Sequence, residues 1–161
     1  MSAIQGVVTT PVERRADDRG FFTEILRASQ WPDTFVQANH SHSRRGALRG
    51  LHYHRQQADL WYVLRGRAQV GLADLRGSGT PTIDTIVLDA DEPATLFIPP
   101  GVAHGYLALT DLDLFYWVTK EYDSTDEFGV AWDDPVLSIP WELNDPILSE
   151  RDASAPGLNA D

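Results

Sequence analysis

Trp61-Tyr62-Val63-Leu64-Arg65-Gly66-Arg67-Ala68-Gln69-Val70-Gly71-Leu72 carries the clearest architectural signal in the chain. Two short runs rich in β-branched and aromatic residues flank Arg65-Gly66-Arg67, a tight-turn candidate, so the stretch predicts a β-hairpin. Further out, Thr82-Ile83-Asp84-Thr85-Ile86-Val87-Leu88 and Leu114-Phe115-Tyr116-Trp117-Val118 read as two more short strands. Gly77-Ser78-Gly79-Thr80-Pro81 punctuates the connection before the first of them. Ten Pro and twelve Gly spread along the chain imply many turns and few helices, and Leu26 to Trp31 is the only segment that admits a helix. Short strands at this spacing predict an all-β fold, a sandwich or barrel of the jelly-roll type. With 161 residues the chain has room for one core, so 1–161 is expected to form a single domain. The small, polar tail from Ala153 onward is expected to fray.

Composition narrows the function. A net charge of −11 argues against a general nucleic-acid binder, which needs a basic face. It does not exclude an anionic small molecule, because a pyrophosphate needs only two or three well-placed Arg. No apolar run approaches the roughly 20 residues that span a bilayer, so no membrane partner is expected. Residues 1–15, MSAIQGVVTTPVERR, lack the pattern of a secretory signal, and a cytoplasmic protein is the simplest expectation. The absence of Cys removes disulfides, thiolate metal sites and thiol nucleophiles.

Histidine carries the chemical signal. In Arg49-Gly50-Leu51-His52-Tyr53-His54 two His stand two residues apart, which on a strand points both imidazoles to one face. Asp59 follows five residues later, and Pro99-Pro100-Gly101-Val102-Ala103-His104 sets a third His just after a Pro-Gly turn. Any one of these alone reads as an ordinary hydrogen-bonded or surface residue; the set together is a candidate site.

Arg49-Gly50-Leu51-His52-Tyr53 resembles the signature of the dTDP-4-dehydrorhamnose 3,5-epimerase family, within the cupin superfamily. The resemblance continues in Asp18-Arg19-Gly20-Phe21-Phe22-Thr23-Glu24, Gln37-Ala38-Asn39-His40-Ser41, Pro100 to Tyr106, Trp132-Asp133-Asp134-Pro135 and Leu148-Ser149-Glu150-Arg151-Asp152, in family order. It implies a cupin jelly roll, a dTDP-linked 4-keto-6-deoxyhexose as substrate, no cofactor, and epimerisation at carbon 3, carbon 5 or both. His52 then matches the general base, Asp152 the carboxylate that orients it, and Tyr116 the acid on the opposite face of the sugar. Without the resemblance, Tyr116 reads as a core aromatic. Arg19, Glu24, Gln37, Asn39, Arg49, His104, Glu127 and Arg151 match positions that contact sugar or nucleotide, and Phe22 and Tyr122 would sandwich the thymine. The resemblance also implies a homodimer in which Arg19 to Glu24 reaches the neighbouring site.

The chemistry fits these groups. A proton beside a ketone becomes acidic only when the developing enolate oxygen is stabilised, and inversion needs a base on one face and a donor on the other. Imidazole, with an unperturbed pKa of roughly 6.5, suits the base.

Two positions depart from the family pattern. Asp59 stands where Lys is usual, reversing the charge expected beside the enolate, and His54 replaces a usual Gln. Arg49 is one source of compensating charge. The spacing Gly46-x5-His52-x-His54-x4-Asp59-x6-Gly66 with Pro99-x-Gly101-x2-His104 also resembles metal-binding cupins, with Asp for Glu. That leaves two alternatives to a metal-free epimerase. In one, His52, His54, Asp59 and His104 are ligands of a divalent first-row metal in an isomerase or dioxygenase; the chain is then a metal enzyme. Alternatively it is a catalytically silent sugar-nucleotide binder. Against the metal reading stands the plain one, in which Asp59 merely forms a salt bridge with a neighbouring Arg.

Overall fold

The computed structural model describes residues 2–158, and its regular secondary structure is almost wholly strand. In chain order they are β1 (Val8–Pro11), β2 (Arg15–Asp17), β3 (Gly20–Phe22), β4 (Gln37–Ser43), β5 (Leu48–Tyr53), β6 (Asp59–Arg65), β7 (Arg67–Asp74), β8 (Thr82–Asp89), β9 (Ala94–Ile98), β10 (Val102–Ala108), β11 (Leu112–Val118) and β12 (Phe128–Gly129). A four-residue helix, α1 (Glu150–Ala153), follows near the carboxyl end. The strands form two five-stranded antiparallel sheets, β1-β9-β6-β11-β4 and β12-β5-β10-β7-β8, with β2 and β3 pairing separately as a hairpin.

The two strands and the tight turn expected here are present as β6 and β7, with Gly66 between them at φ +84°, a left-handed conformation that glycine adopts without a Cβ penalty, but the expected hairpin does not form. These two strands do not pair with each other; they diverge into opposite sheets. The reason lies in the burial pattern, since both strands are nearly continuous apolar runs and each is needed as a central strand of its own sheet.

The inward faces of the two sheets meet in one core. Val63, Leu96, Ile98, Leu112 and Leu114 from the first sheet pack with Val70, Leu72, Leu88, Val102 and Tyr106 from the second. Each fully buried aliphatic side chain here contributes about 1.5–3 kcal/mol of transfer free energy. Trp61 and Tyr106 meet edge to face across the gap, with ring centroids 5.7 Å apart. A second core covers the outer face of the other sheet, where Leu51, Ala73 and Ala103 pack under Val130, Leu137 and Ile139 from the carboxyl-terminal loops. Strand β10 is therefore buried along its whole length.

Close approach of β5 and β10 fixes the register of the future site. A Cβ on Gly50 would lie 2.7 Å from the Gly105 Cα, and one on Gly105 would lie 2.7 Å from the Arg49 carbonyl oxygen. With both Cβ atoms missing, a register shift between His104 and Tyr106 is accommodated and His104 comes opposite His52.

Two further expectations need correction. The Leu26–Trp31 segment forms only a 3-10 turn at Ala28–Gln30, whereas the helix that does form, α1, lies where no helix was expected. A chain as short as α1 has no apolar periodicity to announce it; its start is set by Ser149, whose hydroxyl accepts from the Asp152 N–H at 3.1 Å. Nor does the tail fray at Ala153. Asp134 accepts the Leu158 N–H at 2.7 Å, and the Ala131 N–H is held by the Pro156 carbonyl at 2.8 Å. Residues 159–161 lie outside the described residues.

Asp134 is the buried polar hub of this region. Its other carboxylate oxygen accepts the N–H groups of Val136 at 2.8 Å and Leu137 at 3.1 Å. Burial alone would raise its pKa, but the three donors of Leu158, Leu137 and Val136 outweigh that and hold it below the ordinary 3.8. The stabilisation is complete above that unfolded-state value and is lost as pH falls through the lower folded-state value. Asp134→Ala leaves three N–H groups without their charged acceptor, and a loss of about 2–3 kcal/mol is expected. A lowered denaturant midpoint with an unchanged slope would confirm it; an unchanged midpoint would contradict it.

Candidate active site

Between the two sheets lies a cavity of about 360 Å³, within the usual size of small-ligand sites. Strand parity builds its walls. From the first sheet, Gln37, Asn39 and Ser41 on β4, Asp59 and Trp61 on β6, and Leu114, Tyr116 and Val118 on β11 face inward at alternate positions. Arg49 and His52 on β5 and His104 and Tyr106 on β10 form the facing wall. Gln57, Tyr122, Glu127 and Arg151 complete the lining, together with His54, which stands just past the end of β5.

His52 is fixed by the tail of the chain. Its Nε2 lies 2.8 Å from Asp152 Oδ1, while the Gly50 N–H donates to Asp152 Oδ2 at 3.3 Å. Asp152 is buried, and burial pushes its carboxyl up; hydrogen bonding and charge from His52, then the N–H of Gly50 and the contact with Ser149, outweigh it and leave the pKa below its ordinary value. Asp152 thus stays ionised at neutral pH, an acceptor for the imidazole N–H and a counter-charge for an imidazolium.

Tyr116 stands on the opposite sheet from His52. Burial, then the negative charge of Asp59 and the neighbouring Tyr106, raise its pKa above 10.0, and Arg49 opposes them only in part. Its phenol therefore keeps its proton at neutral pH. A base candidate and a proton-bearing phenol consequently face each other from two different walls of one cavity.

A second cluster occupies the same cavity. His54, Asp59 and His104 bring their ligand-type atoms within 4.8 Å of one another. Asp59 accepts from Gln57 Nε2 at 2.8 Å and Trp61 Nε1 at 3.1 Å. His104 Nε2 is 3.8 Å from Asp59 Oδ2. Burial drives the His104 pKa down to about 4 against the opposing pull of Asp59, so at neutral pH this contact is not an ion pair.

The structure brings together Gln37, Asn39, Arg49, His52, His104, Tyr116, Tyr122, Glu127 and Arg151, with Asp152 directly behind His52. Gln37 donates to Asn39 at 2.9 Å and accepts the Tyr122 N–H at 3.0 Å, and Glu127 pairs with Arg151 at 3.1 Å. Arg19, Phe22 and Glu24 are not among the residues lining the cavity of their own chain. Arg19 pairs with Asp17, Glu24 with Arg27, and Phe22 is exposed on the β2–β3 hairpin, whereas Tyr122 lines the cavity. The four-residue metal set is also corrected: His52 is engaged with Asp152 and stands outside the His54, Asp59 and His104 group. Among the described residues Asp59 has no Arg partner; Gln57 and Trp61 hold it. Arg49 donates to the Ser43 hydroxyl at 2.9 Å and to the His42 carbonyl at 3.0 Å.

Ser41, Gln57, Trp61 and Tyr106 also line the cavity, and the sequence reading did not single them out. Parity would have found three of them, since Ser41 shares the inward phase of Gln37 and Asn39, Trp61 that of Asp59, and Tyr106 that of His104.

A family model for dTDP-4-dehydrorhamnose 3,5-epimerase matches residues 1–160. The spore coat polysaccharide biosynthesis protein SpsL of Bacillus subtilis is 40% identical over 145 residues, covering 86% of this chain and 96% of that protein. The dTDP-4-dehydrorhamnose 3,5-epimerase of Pseudomonas aeruginosa is 39% identical over 166 residues, covering 93% and 90% of the two chains. The crystal structure of dTDP-6-deoxy-D-glucose-3,5-epimerase from Legionella pneumophila, in complex with dTDP-4-keto-L-rhamnose, superposes with a TM-score of 0.91 at 34% identity, covering 98% of this chain and 90% of that one.

Proposed function

The chain belongs to the dTDP-4-dehydrorhamnose 3,5-epimerase family, and on that premise we propose that it epimerises a dTDP-4-keto-6-deoxyhexose at carbon 3, carbon 5 or both, in deoxysugar biosynthesis. The observation that carries this reading is the placement of His52, backed by Asp152 at 2.8 Å, and Tyr116 on opposite sheets across one cavity.

His52 removes the proton beside the ketone through the ring nitrogen that Asp152 leaves free. The carboxylate holds the tautomer and stabilises the imidazolium that forms, as a buried carboxylate does for other catalytic imidazoles. Electrons from the broken C–H bond move onto the keto oxygen, giving an enolate. Tyr116 returns a proton to the carbon from the other face, and the configuration inverts. Protons alone are moved, so the reaction calls for no redox cofactor. Arg49 supplies permanent positive charge to the cavity and Arg151 stands near its mouth beside Glu127, a placement that favours the diphosphate. Gln37 and Asn39 offer donors and acceptors to the sugar hydroxyls, and Tyr122 an aromatic face to the base.

Residues 1–161 act as one domain in this reading, and the protein works as a homodimer. The exposed Phe21 and Phe22 on a hairpin outside the cavity of their own chain support that arrangement, since a second copy would give Arg19, Phe22 and Glu24 a site to enter. A nucleotide-linked substrate favours the cytoplasm, and among the described residues no helix is long and apolar enough to cross a membrane.

Incubation with dTDP-4-keto-6-deoxyglucose in deuterium oxide tests the proposal. Deuterium is expected at carbon 3, carbon 5 or both, with inverted product, by NMR. Failure to exchange a proton beside the ketone of this or any other dTDP-4-keto-6-deoxyhexose would overturn it.

A further inference from the structure

Asp59 is a carboxylate in the wall of a cavity proposed to generate an enolate, and it is 3% exposed. Its surroundings are those of a metal ligand. His54 Nδ1 bonds the Asp126 carbonyl at 2.7 Å, and His104 Nδ1 bonds the Val102 carbonyl at 2.9 Å. A carbonyl only accepts, so each Nδ1 carries a hydrogen and Nε2 is the nitrogen left to offer a lone pair to a metal. The tautomers are thereby set by the backbone, the arrangement by which outer partners orient metal-binding histidines. Gln57 and Trp61 orient the Asp59 carboxylate in the same way, each taking one lone pair of one oxygen.

Three acceptors from three parts of the chain (the end of β5, β6 and β10) thus converge with ligand atoms no more than 4.8 Å apart. Their lone pairs repel one another unless a proton, a water or a cation lies between them, and a cation serves all three at once. In a tetrahedral site with bonds near 2.1 Å, ligand atoms stand about 3.4 Å apart, close to the 3.8 Å between His104 Nε2 and Asp59 Oδ2. Two imidazoles and one carboxylate suit a divalent first-row ion and leave coordination positions open toward the cavity.

We propose that His54, Asp59 and His104 form a divalent-metal site in the wall of the sugar cavity, separate from the His52–Asp152 pair. The separation matters, because a metal here leaves His52 free to act as base. Bound, the ion would serve as a Lewis acid for the keto oxygen, a use that rests on the epimerase reading; the site itself does not. It also accounts for an anionic residue at position 59, since the carboxylate then offsets charge on a cation rather than opposing an enolate.

Titration of chelator-treated, dialysed protein with Co2+ tests the site without any substrate. About one Co2+ per chain is expected, with ligand-field absorption of a low-coordinate N/O site. His54→Gln and Asp59→Asn should each weaken binding by more than about tenfold, the scale at which even outer-shell partners act, while His52→Asn keeps the stoichiometry. Uptake below about one-tenth of an ion per chain by the unmutated protein would overturn the site, and so would stoichiometric binding that survives His54→Gln and Asp59→Asn or that disappears in a folded His52→Asn protein. Isotope exchange without Co2+ binding removes the metal and leaves the epimerase; Co2+ binding without exchange on any dTDP-4-keto-6-deoxyhexose does the reverse.

Discussion

In the His52→Asn protein, deuterium uptake beside the ketone is expected to fall by about 10³-fold, the middle of the range for loss of a positioned general base. That factor corresponds to roughly 4 kcal/mol of transition-state free energy. Asparagine is the informative replacement because its amide can still donate to Asp152, which now sits 2.8 Å from His52 Nε2. Asp152 therefore keeps a partner, its buried charge is not orphaned, and the local fold around Gly50 and Ser149 is preserved. What vanishes is the basic ring nitrogen. Near-ultraviolet circular dichroism should match the parent, separating lost chemistry from lost structure. Exchange retained within about tenfold of the parent would mean that another group takes the proton, and the role given to His52 would fall.

The sequence made some features legible and hid others for physical reasons. The strands at Trp61–Leu64, Ala68–Leu72, Thr82–Leu88 and Leu114–Val118 stand out because β-branched and aromatic residues are bounded there by turn formers, and each lies within a strand of the structure. That β6 and β7 enter different sheets depends on long-range pairing with β9, β11, β10 and β8, which no local pattern encodes. The His52–Asp152 contact spans a hundred residues, and only the family resemblance joined them. Periodicity did carry His52 and His54 to a common cavity. It could not assign them to different partners, because that depends on Asp152 arriving from α1 and on the Asp126 carbonyl arriving from the loop before β12. The β2–β3 hairpin is the converse case: its motif is plain in the sequence, yet within one chain Arg19 and Glu24 meet only their own neighbours Asp17 and Arg27.

Two walls, rather than one cluster, are what an inverting enzyme requires. A base and an acid on the same sheet would deliver the proton back to the face it left. The jelly roll avoids this by placing β5 and β11 in different sheets with the cavity between them, so His52 and Tyr116 address a substrate from opposite sides. The inward turn of Tyr116 follows from its parity with Leu114 and Val118 and from its register against Asn39 and Trp61. Its raised pKa, set first by burial and next by Asp59, keeps the donor loaded at neutral pH.

Tyr116→Phe should consequently separate two events that His52→Asn abolishes together. Removing the hydroxyl leaves the ring and its packing but no proton to give. His52 still abstracts the substrate proton, exchanges it with solvent and returns it to the same face, so deuterium enters without inversion. Exchange is expected to remain within about tenfold of the parent, while formation of inverted product falls by about 10²–10⁴-fold, the span covered by loss of a positioned general acid. Following one sample by NMR reads both quantities, deuterium content from the lost C–H signal and configuration from the ring couplings. Parallel loss of exchange and inversion would place Tyr116 in proton removal or in substrate binding. Undiminished inversion would show that the second proton arrives from some other donor, and the opposed-wall mechanism would have to be abandoned.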